Sequence, residues 1–264
     1  MMKRVVFVGA GNISQAIIEG LIEGGHSRKN LLYIDRNKSN SARLEKLKIK
    51  KYSINSIQSS DIFILAVKPK DALSAYTEIC SLIKKPKIIS LVAGIKSKKY
   101  LSQFANVELM RVMPNTSSRF QKGITALFNI SASKVTQSEI ALLFKKVGMV
   151  LHIHKESHLD DFTGLVGSGP AYFFYLLQVY EKRIMKICNG DLKKKNLIIS
   201  NLLEGVSKSI GSGETTDALI KAVASKKGTT EAGIKSFKTS GLSKSFDKGI
   251  AAAIKRSKEI SSEF

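Results

Sequence analysis

The 264-residue sequence predicts an α/β chain, with a mostly parallel sheet part followed by an all-helical part. Three observations carry this reading. Short apolar runs alternate with helix-length segments as far as His154. No convincing strand follows Ser157, and residues 171–188, 192–209 and 243–260 keep a helical apolar period. The boundary falls near Glu156, dividing the chain into 1–156 and 157–264. A composition of 43% hydrophobic and 24% charged residues is ordinary for a folded protein of this size.

The first apolar run, Val5 to Val8, passes into Gly9-Ala10-Gly11 and then into a helix-periodic stretch. A pyrophosphate reaches backbone amides at a helix start only where no side chain stands in the way, and Gly9 and Gly11 clear that path. The pattern is that of a Rossmann-type dinucleotide-binding βαβ unit, with Val8, Gly9, Ala10, Gly11, Asn12 and Ile13 as candidate contacts. Ser14 stands where a third glycine is usual and is small enough for helix-to-strand packing. The other reading is a tight turn that binds nothing.

Further strands are expected at 31–35, 61–67, 87–93, 107–113, 123–129 and 149–154. Ligands of open α/β sheets bind beyond the carboxyl ends of the strands, so the segments that follow each strand matter most. After the second strand the signals conflict. Asp35 suits a ribose 2′-hydroxyl and so NADH, whereas Arg36 and Lys38 suit the 2′-phosphate of NADPH. The cationic pair favours NADPH. Lys68 reads either as a phosphate contact or as a solvated strand-end lysine, and Pro69 as the first residue of a helix.

In the helical part, residues 171–177 are apolar nearly all round. That helix is either the centre of the small domain or a contact with another subunit, and its continuous hydrophobicity favours the second. Gly228-Thr229-Thr230-Glu231 reads as a helix start with threonine as N-cap. A carboxylate would fit its outward amides. An ordinary cap is the alternative.

Other features limit the function. The formal charge is +22, with 26 basic against 10 acidic side chains through residue 156 and 17 against 11 beyond it. The basic residues lie at segment ends without interleaved aromatics, so they read as solvated faces rather than a nucleic-acid surface. Cys80 and Cys188 lack metal or redox spacing and read as buried thiols. His152, His154 and His158 do not form a convincing metal set. Met1 to Arg4 lead straight into the first strand and no apolar run is long enough to span a bilayer, so a cytoplasmic protein is expected, without membrane contact.

Four further stretches complete a distinctive set: Ala66-Val67-Lys68-Pro69, Leu91-Val92-Ala93-Gly94-Ile95, Arg111-Val112-Met113-Pro114-Asn115-Thr116 and Thr163 through Tyr172. With the glycine turn and Gly228-Thr229-Thr230, the chain resembles the pyrroline-5-carboxylate reductases over almost its whole length. The resemblance implies hydride transfer from NADPH, with some use of NADH, to the imine carbon of 1-pyrroline-5-carboxylate, giving proline. It also implies a homodimer with interlocked helical domains, often within a larger ring. By the same resemblance Asn55, Ala66, Val67, Lys68, Pro69, Val92, Ala93, Gly94 and Asn115 join the cofactor contacts. Ser225, Gly228, Thr229, Thr230 and Glu156 become substrate contacts, with Thr230 hydrogen-bonded to the ring nitrogen as the catalytic residue. A related imine or keto-acid reductase, or a decayed cofactor-binding protein, are the alternatives. The sequence departs from the family at Ser225-Lys226-Lys227-Gly228, where Ser-Pro-Gly-Gly is usual. A lysine at 227 disfavours a left-handed backbone there.

Overall fold

The computed structural model describes residues 3–53 and 56–263. Eight strands form one sheet: β1 Val5–Val8, β2 Leu31–Ile34, β3 Lys50–Lys51, β4 Ile62–Leu65, β5 Lys87–Ser90, β6 Glu108–Met113, β7 Gly123–Asn129 and β8 Gly148–His152. Their order is β3-β2-β1-β4-β5-β6-β7-β8. All pairs are parallel except β6 with β7, where Met113 faces Ala126. The reversal follows from the connection. Only a single 3₁₀ segment, Thr116–Phe120, lies between β6 and β7, too little chain for a parallel crossover. The two-residue edge strand β3 carries no apolar run and was not anticipated from the sequence.

Around the sheet lie α1 Asn12–Glu23, α2 Lys38–Lys46, α3 Pro69–Leu82, α4 Ser97–Gln103 and α5 Lys134–Lys145. The strands read as continuous apolar runs because both faces are covered. Val5, Phe7, Ile62 and Ile64 join one buried cluster with Ile17 and Phe144. Val6, Val8, Phe63 and Leu65 join another with Tyr76 and Tyr100. Alternate residues thus feed opposite faces.

After β8 the chain is helical: α6 His158–Phe162, a π turn Thr163–Gly167, α7 Gly169–Ile187, α8 Leu192–Ile210, α9 Thr216–Val223, α10 Thr229–Thr239 and α11 Leu242–Glu263. By compactness the chain forms two units, residues 1–170 with 252–264, and residues 171–251. The end of α11 is held to the sheet unit by Ser257 and Ser261, which both donate to Asp160. The 171–251 unit has almost no core of its own, since Cys188 and Ile199 are its only buried side chains. Among the described residues no helix is long and apolar enough to cross a membrane.

Candidate active site

The glycine turn is built by two different steric demands. Gly9 has φ +96°, and a Cβ there would stand 2.5 Å from the carbonyl oxygen of Ala66, so only glycine lets β1 and the segment after β4 run so close. Gly11 is different. A Cβ there would meet nothing within 4 Å. It is the N-cap of α1, and no side chain caps that helix, so the first-turn N–H groups of Asn12, Ile13 and Ser14 face a cleared space. An anionic group fits this cradle.

The turn is held by its own neighbours. Ser14, fully buried, donates its hydroxyl to the Gly9 carbonyl at 2.6 Å, and Gln15 donates its amide to the Ala10 carbonyl at 2.7 Å. Asp35 Oδ2 accepts from the Ala10 amide at 2.6 Å and from Asn40 Nδ2 at 3.0 Å, while Oδ1 accepts from the Asn37 amide at 2.6 Å. The Asp35 carboxylate is therefore turned into the protein, as a tie between the end of β2 and the glycine turn. Asn37 caps α2 by accepting from the amides of Ser39 and Asn40. Arg36 and Lys38 are exposed and make no ion pair among the described residues.

Ala66, Val67, Lys68 and Pro69 follow β4 at its carboxyl end, with the Ala66 amide bonded to the Val8 carbonyl at 2.8 Å. Lys68 is the exposed N-cap of α3 and Pro69 its first residue, where a missing N–H costs nothing. Val92 is buried in the core, so its side chain is not available to a ligand at the end of β5. Ala93 is half-buried, and Gly94 turns the loop with φ +85°. Asn115 is buried, accepting from the Ile124 amide at 3.1 Å and donating to the Val166 carbonyl at 3.3 Å. Its side chain braces β7 against the π turn. Asn55 lies outside the described residues.

Glu156 is half-buried and both its oxygens are committed. Oε1 accepts from the Ser97 amide and from Arg111 Nη1, each at 2.7 Å, and Oε2 accepts from the Ser97 hydroxyl at 2.8 Å. Burial opposes ionisation, but the hydrogen bonds from Arg111 and Ser97 outweigh it and hold the carboxyl below its usual range. Sequence reasoning missed Arg111 as the partner. The only signal was a basic residue in an apolar strand.

In the 171–251 unit, Ser225 to Gly228 form a tight turn with the Gly228 amide bonded to the Ser225 carbonyl at 3.0 Å. Gly228, not a threonine, is the N-cap of α10, and no side chain caps it. The cap moves because Lys227 adopts φ +61° and gives its amide to Glu231 Oε2 at 2.6 Å, which places Thr229 and Thr230 already inside the first turn. The lysine thus holds the left-handed conformation that its side chain disfavours. The hydroxyl of half-buried Thr230 makes no hydrogen bond among the described residues, and the adjacent amides are uncapped.

The helical half matches the family model for pyrroline-5-carboxylate reductase dimerisation over residues 156–260. Residues 4–94 match the model for F420-dependent NADP oxidoreductases. The chain is 33% identical to pyrroline-5-carboxylate reductase 2 of Bacillus subtilis, covering 100% of this chain and 97% of that protein. It belongs to the pyrroline-5-carboxylate reductase family. The corresponding reductase of Staphylococcus aureus is 34% identical, with 98% of each chain covered. Among solved structures, the reductase of Streptococcus pyogenes superposes with a TM-score of 0.77 at 26% identity, over 97% of this chain and 98% of that one. A Plasmodium falciparum reductase solved with NADP bound shares the fold, with a TM-score of 0.84 at 22% identity over 98% of each chain. Membership in the reductase family accounts for a parallel-sheet unit joined to a helical unit that cannot bury its own apolar surface.

Proposed function

We propose that this chain is a pyrroline-5-carboxylate reductase, which reduces the imine carbon of 1-pyrroline-5-carboxylate to give L-proline, with NADPH as its main cofactor and NADH as a second. The observation that carries the proposal is the full-length similarity to curated reductases. The cleared glycine turn, where a Cβ at Gly11 would stand in open space before uncapped helix amides, is a fit for the cofactor's pyrophosphate.

The nicotinamide supplies the hydride, which is the difficult chemistry. The protein's share is orientation and the exclusion of water. Val8 through Ile13 would hold the pyrophosphate, and Ala66 to Pro69, Val92 to Gly94, Asn115 and, outside the described residues, Asn55 would hold the rest of the dinucleotide. Asp35 points inward while Arg36 and Lys38 stay free, which favours a 2′-phosphate over a bare ribose. The amides of Thr229 and Thr230 hold the substrate carboxylate, with Ser225 and Gly228 shaping the turn that presents them. Thr230 hydrogen-bonds the ring nitrogen through its free hydroxyl. An imine nitrogen is readily protonated, so a hydrogen bond suffices and no strong general acid is required. Glu156 belongs to the substrate side as a positioning group, holding Arg111 and the first turn of α4.

By function the chain divides into a cofactor part, 1–156, and a dimerisation and substrate part, 157–264. Compactness instead keeps 157–170 and 252–264 with the sheet. The working assembly is a homodimer or a ring of dimers in the cytoplasm, and the scattered basic residues serve solubility and attraction of anionic metabolites rather than nucleic acid.

The decisive test is loss of near-ultraviolet NADPH absorbance with and without pyrroline-5-carboxylate, with proline identified as product. Substrate-dependent loss is expected. Turnover of a 2-keto acid in its place would make the protein a related reductase, and NADPH binding without turnover a decayed one. Thr230→Ala is expected to lower turnover more than NADPH affinity, and an unchanged rate removes Thr230 from the reaction.

A further inference from the structure

The contact face of α11 carries a polar pair where apolar residues are the rule. Ile254, Ser257, Ile260 and Ser261 recur at helical spacing on one face, while Lys255, Arg256 and Glu259 are exposed. Ser257 and Ser261 are the two buried residues of the helix, each 5% exposed. Their hydroxyls both donate to Asp160 Oδ1, at 3.1 and 2.7 Å. Lys258 pairs with the next residue, Asp161, at 2.8 Å. Two hydrogen bonds converging on one oxygen fix the helix along its axis, because sliding or turning it breaks both at once.

That register brings α11 against two glycines. At Gly94, where φ is +85°, a Cβ would stand 2.6 Å from Ile260 Cγ2 and 3.1 Å from the Ile260 carbonyl oxygen. At Gly164 a Cβ would stand 2.6 Å from Ile254 Cγ1 and 2.8 Å from the Ile254 backbone nitrogen. Neither approach leaves room for a side chain, so each glycine is needed for the fit and each isoleucine fills its half of it. Gly94 ends the Val92–Gly94 loop beyond β5, and Gly164 lies in the π turn whose Val166 carbonyl accepts from Asn115. Two segments assigned to the cofactor therefore rest, directly or through the π turn, on the last turns of one helix.

We propose that the carboxyl-terminal turns of α11 position the Val92–Gly94 loop for the cofactor, which rests on the assignment of that loop to the cofactor made above. Ile260 is the positioning residue, and the clasp of Ser257 and Ser261 on Asp160 sets its register. A glycine has more alternative conformations than any other residue, so the turn at Gly94 has little stiffness of its own. Ile260 supplies it from outside, by occupying the space into which the loop would otherwise relax. A loop already held in its binding conformation binds without the loss of affinity that a partly populated competent state imposes. In this role Ile260 acts through Gly94 and needs no contact of its own with the cofactor.

The test uses full-length protein and three readouts: NADPH affinity from the fluorescence of bound NADPH, the KM for pyrroline-5-carboxylate at saturating NADPH, and hydrogen exchange of residues 91–96 without ligand. Ile260→Ala is expected to raise the Kd for NADPH about tenfold, the effect of a loop competent in roughly one molecule in ten. Exchange in the loop should quicken, and the KM for the imine should change little. Ile260→Val should restore both affinity and protection, and Ser257→Ala combined with Ser261→Ala should reproduce the loss by removing the clasp. Ser131→Ala, which removes a hydroxyl bond to the Val107 carbonyl at the amino end of β6, controls for general loosening and should leave affinity and loop exchange as they are. If the parent binds NADPH and the α11 variants bind it equally well, or if the KM for the imine rises as much as the Kd for NADPH, this inference alone is overturned. A parent that binds no NADPH refutes the cofactor reading and this inference with it.

Discussion

Lys227 shows at a single residue how a local rule can be broken and what holds it broken. Its φ of +61° is a conformation that costs a side-chain-bearing residue about 1 kcal/mol. The bond from its amide to Glu231 offsets part of that cost. Lys227→Gly should therefore raise the thermal midpoint of the protein, and a lower midpoint would show that the lysine side chain makes a stabilising contact. Arg36 and Lys38 are the residues on which cofactor choice should turn. Replacing both with alanine is expected to raise the KM for NADPH about tenfold while leaving that for NADH nearly unchanged, as removal of phosphate partners requires. Equal loss for both cofactors, measured by steady-state kinetics, would place the 2′-phosphate elsewhere. Arg36 and Lys38 could be picked out from the sequence because they follow a strand end. The inward turn of Asp35 could not, because its partner Ala10 is 25 residues away.

Between elements, the Glu156 bridge ties β6 to the start of α4 and to the segment before α6. Arg111 is buried to 3% exposure, and its Nε has no partner, so the Nη1 bond to Glu156 is its main compensation. Arg111→Met strands a half-buried carboxylate and should cost about 2 kcal/mol at neutral pH. The carboxyl's folded-state value lies below its unfolded value of about 4.3, so the bridge stabilises fully above that pH and less as pH falls through the folded value. The difference in thermal midpoint between Arg111→Met and the parent should accordingly shrink in acid. A constant difference would mean that packing, not charge, dominates. Helix positions in the second half were legible because 3.6-residue periodicity survives in α7, α8 and α11. The antiparallel turn of β7 was not, since direction depends on the length of a connection whose structure has no periodic signature.

For the whole molecule, the decisive fact is the contrast between its two units. The sheet unit buries two apolar layers, whereas residues 171–251 leave Phe173, Phe174, Tyr175, Val179, Leu203 and Val206 exposed. So much apolar surface is stable in water only when another surface covers it, and the dimerisation family model over 156–260 names a second copy as the cover. Phe174→Asp combined with Val206→Asp should convert the assembly to monomers by sedimentation velocity and lower the thermal midpoint. Unchanged sedimentation would place the interface on other helices. The apolar run at 171–177 announced this in the sequence, although periodicity alone could not separate a subunit contact from a domain centre.

The sequence by itself determined the strand–helix alternation of the first half, the all-helical second half, the glycine turn at Gly9 to Gly11 and the chain's kinship with the reductases. These depend on residue type and near-neighbour spacing, which steric exclusion and apolar periodicity write directly into the chain. Tertiary structure decided where the committed side chains point: Asp35 to Ala10, and Glu156 to Arg111 across 45 residues. It also decided that residues 252–263 pack with the sheet unit and that Gly228 rather than a threonine begins α10. Pairings between distant positions follow from burial, which makes each polar group seek whichever partner the finished fold brings within reach.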